Sequence, residues 1–318
     1  MAPGANILLV TTPTAETLGV QGFPQMMNAE QYVVDHHLAN VISQSLAAAE
    51  ESFGSMQSLM NLRHAFISAA ANGVTVLGAS GDAGTANVLK QPVKNPKTIP
   101  YPTVEWPASD PLVTGVGGTY LCTNPTASST DPRTTDSVDP PSTCGGANVG
   151  QAEVGWVDSG GGFSHVFATP SYQSGVSAIG SMHGVPDIGF QASSRTGALI
   201  CISLPPDGNS WLICGSAPCS TGWYDIGGTS LATPQWAALV AIADQLNGGG
   251  LGLINPALYK LASNSTAYAN DFFDVTVGNN QADLSVPGYP ATTGWDPVTG
   301  LGTPNAAHLI PALVAASH

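Results

Sequence analysis

Residues 73–84 read GVTVLGASGDAG, an apolar run that starts on one glycine and empties into a glycine-flanked aspartate. A short, nearly continuous apolar run bounded by turn residues is the pattern of a strand buried on both faces, as in a parallel sheet. The residues before it agree. Residues 56–72 carry helical periodicity and stop at Asn72-Gly73, a helix-ending pair. Earlier still, VISQSL (41–46) reads as a strand and 28–40 as a helix. ANILLVTT (5–12), bounded by Pro3-Gly4 and Pro13, reads as a further buried strand. Strand, helix, strand at this spacing predicts right-handed crossovers and an α/β fold around a parallel sheet.

Downstream, 121–162 shifts to Ser, Thr, Pro, Asp and Gly, as in a long surface loop or an irregular β insertion. ALICISLPPDGNSWLICG (198–215) reads as a β-hairpin turning at Pro-Pro-Asp-Gly-Asn. The stretch 229–247 is apolar almost all round, which predicts a buried helix starting near Ser230 and ending at Asn247-Gly248-Gly249-Gly250. No internal repeat is present.

The 318 residues suffice for one large α/β domain. No uninterrupted run reaches the ~18 apolar residues that span a bilayer, so no membrane role is expected. Acidic residues outnumber basic ones 21 to 7, a formal charge of −14. Seven scattered cations build no basic face, which excludes nucleic acid as a partner. Few lysines and many Ser, Thr, Gly and Pro suit a secreted protein working in acid, where carboxylates lose charge and self-repulsion falls. A merely acidic cytosolic protein is the alternative. Cys122, Cys144, Cys201, Cys214 and Cys219 lack the C-x-x-C pairing of a zinc site. They read as two disulfides and a free thiol, hence an oxidising compartment. Cys122 with Cys144 is the preferred first pair, and the other three compete for the second. Met1-Ala2-Pro3-Gly4 shows neither a basic n-region nor a cleavage site, so either something lies upstream or the protein is not exported.

IGGTSLATP (226–234) places a serine at a helix start behind two glycines, with a proline four residues on. Proline is tolerated in a first turn, where amides have no intrahelical partner. The glycines would let the chain turn sharply and a substrate backbone come close. The positive end of the helix dipole beneath Ser230 favours a developing oxyanion. The plain alternative is that Thr229 or Ser230 only caps the helix. A serine nucleophile needs a base, usually histidine. None of His36, His37, His64, His165, His183, His308 and His318 sits in a glycine-flanked His-Gly-Thr-His context, and each reads as a surface or loop residue. The base of a catalytic Ser230 is therefore expected to be a carboxylate.

GGTSLATP together with ASGDAG (79–84) resembles the sedolisin, or serine-carboxyl, peptidases. APGANILLV (2–10), EWPASDPLVTGVGGT (105–119), GGGFSHVFATPSYQ (160–173), VPDIGFQAS (185–193) and GWDPVTGLGTPN (294–305) match in the family's order and cover nearly the whole chain. The resemblance implies a subtilisin-like three-layer fold with a mostly parallel central sheet, helices on both faces and the N-terminal strands missing. It implies proteolysis at acid pH by a Ser-Glu-Asp triad, with Ser230 as nucleophile and Asp82 in the oxyanion hole. An aspartate there donates a hydrogen bond only while protonated, which fits acid conditions. The plain reading of Asp82 is a turn residue in Gly-Asp-Ala-Gly. The resemblance also assigns one Ca2+ ion to the side chains of Asp274 and Asp296 and the carbonyls of Val275, Thr292 and Gly294. Calcium takes about 6 to 8 oxygens of this mixed kind. Glycine is common in the family where Thr292 stands, a change that a carbonyl ligand tolerates. Two ordinary Asp turns are the plain alternative.

The family's catalytic Glu and Asp lie four residues apart on one helix, just before the segment matching Ala2-Pro3-Gly4-Ala5, and the 318 residues hold no such helix. Glu50-Glu51 match an acidic position of the family, Glu30 and Asp35 are five apart, and Asp244 lies nearly four turns along the serine's helix; none serves as base. Leu46 and Ala47 stand where a Trp-Gly pair is common. The expected organisation is one catalytic domain over 1–318, N-terminally incomplete, with the insertion at about 121–162 and a calcium region at about 271–305. A monomer acting on protein or peptide substrates is expected, with an inhibitory prodomain upstream and the peptide held along strand edges near 160–162. Two readings follow: a secreted serine-carboxyl endopeptidase, inactive as this chain alone, or a non-catalytic homologue serving as a calcium-stabilised secreted binding module.

Overall fold

The computed structural model describes residues 1–13, 19–89, 97–122, 152–204, 213–214, 217–218 and 220–318. In chain order the N-terminal half builds α1 (Phe23–Asp35), β1 (Val41–Gln44), β2 (Ala48–Ala49), α2 (Met56–Met60), α3 (His64–Ala71), β3 (Thr75–Ala79), β4 (Glu105–Trp106) and β5 (Thr114–Leu121). There follow β6 (Glu153–Gly155), β7 (Gly162–Ala168), β8 (Met182–Val185), β9 (Ile188–Gln191), β10 (Ala198–Ile202), β11 (Ile213–Cys214), β12 (Ala217–Pro218) and β13 (Gly222–Ile226). Helices α4 (Thr229–Asn247), α5 (Asn255–Ala262), α6 (Ser265–Asp271) and α7 (Ala306–Ala316) complete the chain, with β14 (Phe272–Phe273) pairing β15 (Thr303–Pro304).

The central sheet runs β1-β3-β5-β9, all parallel, with β6 joining the end of β5 antiparallel. Strand periodicity sets the layers. Val76 packs with Phe23, Met27 and Phe66 of α1 and α3. Its neighbour Leu77 packs on the other face with Trp236, Leu239 and Val240 of α4. Successive strand residues point to opposite faces, so a strand buried throughout has helices above and below it. This is the mixed, mostly parallel α/β architecture expected. α3 is capped at Asn72, and Gly73 takes φ +71°, the left-handed conformation that favours glycine after a helix.

Several elements differ from the sequence reading. Residues 5–12 form no strand, and Ile7 and Leu9 are 94% and 83% exposed. A parallel strand exists only where neighbouring strands supply its hydrogen bonds, and this run pairs with no described strand. The helix expected over 28–40 starts earlier, at Phe23, where Pro24 suits a first turn. The helix expected over 56–72 is broken by a 3₁₀ turn at Asn61–Arg63. The hairpin expected within 198–215 is replaced: Ala198–Ile202 pairs with Gly222–Ile226, and its supposed turn lies outside the described residues. So does most of the 121–162 insertion. His183 is fully buried on β8 and is not a surface residue. Cys122 is disulfide-bonded, and Cys201 is free and exposed. Among the described residues no helix is long and apolar enough to cross a membrane.

Candidate active site

In a parallel sheet the strands' carboxyl ends converge on one edge, where loops and helix starts make a crevice. Here that crevice measures about 310 Å³. Ser45 and Ala47 follow β1, while Ala79, Gly81, Asp82 and Ala83 follow from β3. Asn87, Val88 and Glu105 close one wall, and Thr229 and Ser230 come from the start of α4. The two residues predicted to act together, Ser230 and Asp82, therefore line one cleft.

Ser230 is exposed, and its hydroxyl makes no hydrogen bond among the described residues. It does not cap its helix, because Gly228 occupies the capping position at φ +101°. Asp82 takes that duty. Its Oδ1 accepts the Thr229 N–H at 2.7 Å and the Thr229 hydroxyl at 2.8 Å. A carboxylate at a helix N-terminus satisfies an otherwise orphaned amide and faces the positive end of the dipole. The glycine pair serves the protein's own groups. A Cβ on Gly228 would sit 2.5 Å from Asp82 Oδ2, and one on Gly227 would sit 2.3 Å from the Ser194 nitrogen. Pro234 lies in the second turn of α4, so Ser230 O loses the N–H that residue 234 would donate in a helix. The Ser45 hydroxyl replaces it, donating to Ser230 O at 3.3 Å.

Gly160–Gly162 are buried and not open to a peptide. Cβ atoms at Gly160 and Gly161 would meet Ser80 O at 2.1 Å and Pro297 O at 1.9 Å. The Gly160 N–H donates to Gly81 O at 2.8 Å, so this segment braces the Asp82 turn. No described histidine lines the cleft. His165 pairs with Glu51 at 2.6 Å, while buried Glu50 accepts the Ser164 hydroxyl and the His165 N–H, both at 2.7 Å. Those carboxylates secure β7. Sequence reasoning missed Glu105, the only titratable group besides Asp82 among the described residues lining the cleft. It arrives there because Ala49 and Glu105 are opposite each other in the β2–β4 pair, and its Oε2 lies 2.6 Å from where a Cβ on Gly81 would be. The local sequence carries no sign of that pairing.

No family model matches the chain. Individual proteins do. Kumamolisin of Bacillus sp. (strain MN-32) is 32% identical, aligned over 99% of this chain and 49% of its own length. Tripeptidyl-peptidase 1 of Rattus norvegicus is 33% identical over 87% of this chain and 44% of its own. The chain thus spans about half the length of these relatives. The solved structure of Pseudomonas sedolisin, a serine-carboxyl proteinase complexed with two molecules of pseudo-iodotyrostatin, superposes with a TM-score of 0.66 at 30% identity, covering 90% of this chain and 68% of that one. The chain belongs to the sedolisin family.

Among the described residues of this sedolisin-family chain, no group of three or more His, Cys, Asp and Glu side chains gathers as a metal site. The predicted calcium set holds two carboxylates and depends on carbonyls for the rest. Both carboxylates engage one loop: Gly294 N–H donates to Asp274 at 3.1 Å and Thr292 N–H to Asp296 Oδ2 at 3.0 Å. Asp296 is fully buried, and that burial pushes its carboxyl up to about 7. A cation beside it would hold it ionised, so oxygen-rich donors on an irregular loop fit a hard divalent ion.

Proposed function

We propose that this chain carries the nucleophile and the oxyanion-binding carboxylate of a secreted, monomeric serine-carboxyl endopeptidase acting on proteins at acid pH. The observation that supports it is the placing of exposed Ser230 beside Asp82 at the start of α4, in a cleft whose described lining holds no histidine. Ser230 Oγ attacks the scissile carbonyl carbon and gives its proton to a carboxylate. The carbonyl oxygen, now an oxyanion, accepts a hydrogen bond from Asp82. Thr229 occupies Asp82 Oδ1, so the donating proton sits on Oδ2, the oxygen facing Gly228. Such preorganised donors are worth roughly 10²- to 10³-fold in rate.

We assign the base to the Glu of a Glu-x-x-x-Asp helix, which these 318 residues lack, and place Glu105 in the wall that meets a substrate side chain. The Asp274/Asp296 loop holds one calcium ion through its carboxylates and the Val275, Thr292 and Gly294 carbonyls, which stabilises the C-terminal region without entering the chemistry. The test is release of peptides from a denatured protein at about pH 4, in the acid range where a carboxylate serves as base. The 318-residue chain alone is expected to release none. Hydrolysis by this chain that disappears in Ser230→Ala would put the base within these residues. Hydrolysis by the whole protein that survives Ser230→Ala would overturn the nucleophile.

A further inference from the structure

Asn264-Ser265-Thr266 is the one Asn-x-Ser/Thr triplet of the 318 residues without proline in the middle. That pattern is the acceptor for asparagine-linked sugars, and it works only where the triplet reaches solvent. All three residues are exposed, Asn264 capping α6 and Ser265 and Thr266 opening its first turn. Asn264 Oδ1 accepts the N–H groups of Thr266 and Ala267, both at 3.0 Å. The carboxamide is thereby fixed oxygen-inward, and Nδ2 makes no hydrogen bond among the described residues. Beside it lies an open hollow of about 580 Å³, lined by Leu261, Ala267, Asn270 and Ala312, which leaves room for a bulky group. The disulfide at Cys122 belongs to the same oxidising route in which such sugars are attached.

We propose that Asn264 is a site of asparagine-linked glycosylation. Nδ2 loses one hydrogen and bonds to the anomeric carbon of an N-acetylhexosamine. The bond from that carbon to a lipid pyrophosphate breaks, and the lipid pyrophosphate leaves with the proton. The co-substrate is a lipid-linked oligosaccharide. Oδ1 takes no part, so both helix-start hydrogen bonds survive modification. The proposal rests on the secreted route and not on the peptidase chemistry, and its readout needs no activity.

The test expresses the full chain in yeast with and without a cleavable signal peptide. The signal-bearing chain is expected to migrate as a larger species that collapses on peptide-N-glycosidase digestion, which converts Asn264 to aspartate in the tryptic peptide. The shift is expected to vanish in N264D, which keeps a capping oxygen, and in T266A, to persist in T266S, and to be absent without the signal. Lumenal and secreted pools are digested separately, so retention in the cell is distinguished from lack of modification. Signal-bearing protein with unmodified Asn264, or a shift retained in N264D, overturns the assignment.

Discussion

Two aspartates show how differently one fold treats a carboxylate. At the cleft, Asp82 spends one oxygen on Thr229 and turns the other toward Gly228, beside a serine whose hydroxyl bonds none of the described residues. Beneath the sheet edge, Asp187 is saturated. It accepts from Gly115 N–H at 2.8 Å, Tyr259 OH at 3.0 Å, Asn255 Nδ2 at 3.2 Å and Gln173 Nε2 at 3.3 Å. Even so, burial outweighs those bonds and pushes its carboxyl up to about 7. Hydrogen-bonding capacity left unspent at the surface suits chemistry, whereas capacity spent in the interior fixes geometry.

The largest expected effect tests the cleft side. Ser230→Ala in the whole protein should lower kcat on the order of 10⁶-fold, the scale of removing a serine nucleophile, and leave the melting temperature unchanged because the hydroxyl bonds nothing described. Asp82→Ala should affect both properties. Activity should fall roughly 10²- to 10³-fold, and the uncapped Thr229 amide should cost about 1 kcal/mol of stability. An Asp82→Ala enzyme with full activity would make Asp82 a structural aspartate like Asp187.

On the structural side, Arg63 grips Asp110 with two hydrogen bonds of 2.6 and 2.8 Å, and Asp110 also accepts from Leu112 N–H at 3.0 Å and Trp106 Nε1 at 3.3 Å. Arg63→Ala would strand a fully buried carboxylate, at a cost of about 3–5 kcal/mol in a denaturant titration. A loss within experimental error would show that Asp110 is neutral or rehydrated. Calcium removal should act more weakly. With the ion at ~100 times its dissociation constant, chelation would cost about 2.7 kcal/mol. An unchanged transition in EDTA would remove the metal from the Asp274/Asp296 loop.

What the sequence revealed divides along the same line. GVTVLGAS and ANILLVTT are both short, largely apolar runs, yet the first contains a fully buried strand and the second is exposed. An apolar run confers the capacity to be a buried strand, and neighbouring strands decide whether it becomes one. The glycines and the helix start at Ser230 were legible because backbone sterics and helix-start chemistry act within a few residues, whereas the pairing of Asp82 with Thr229 spans the chain and followed only from the resemblance. Glu105 was not legible, since only the Ala49–Glu105 register brings it to the cleft. The Pro-Pro-Asp-Gly-Asn turn similarly carries no information on which strand pairs with Ala198–Ile202.

The finest test concerns Asp187 and His183 together. His183 is fully buried, with Nδ1 against Ser109 O at 2.8 Å and Nε2 3.4 Å from the Tyr172 hydroxyl. Burial lowers its pKa to about 4, from 6.5 in an unfolded chain. Its contribution to stability is complete above about 6.5 and is lost as pH falls through about 4. Asp187 does the reverse: its contribution is complete below 3.8 and is lost as pH rises through about 7. Between about 4 and 6.5 the folded protein holds a protonated Asp187 and a neutral His183, while the unfolded chain holds an aspartate and an imidazolium. Both states bind one proton across the pair, so its net contribution to the pH slope is zero. Asp187→Asn should unmask the histidine, giving stability that rises with pH relative to the parent by about 1.4 kcal/mol per unit. His183→Gln should unmask the aspartate and give a slope of equal size and opposite sign. Denaturant midpoints at three pH values in that window measure both, and slopes of the same sign in the two variants would show that the groups do not compensate.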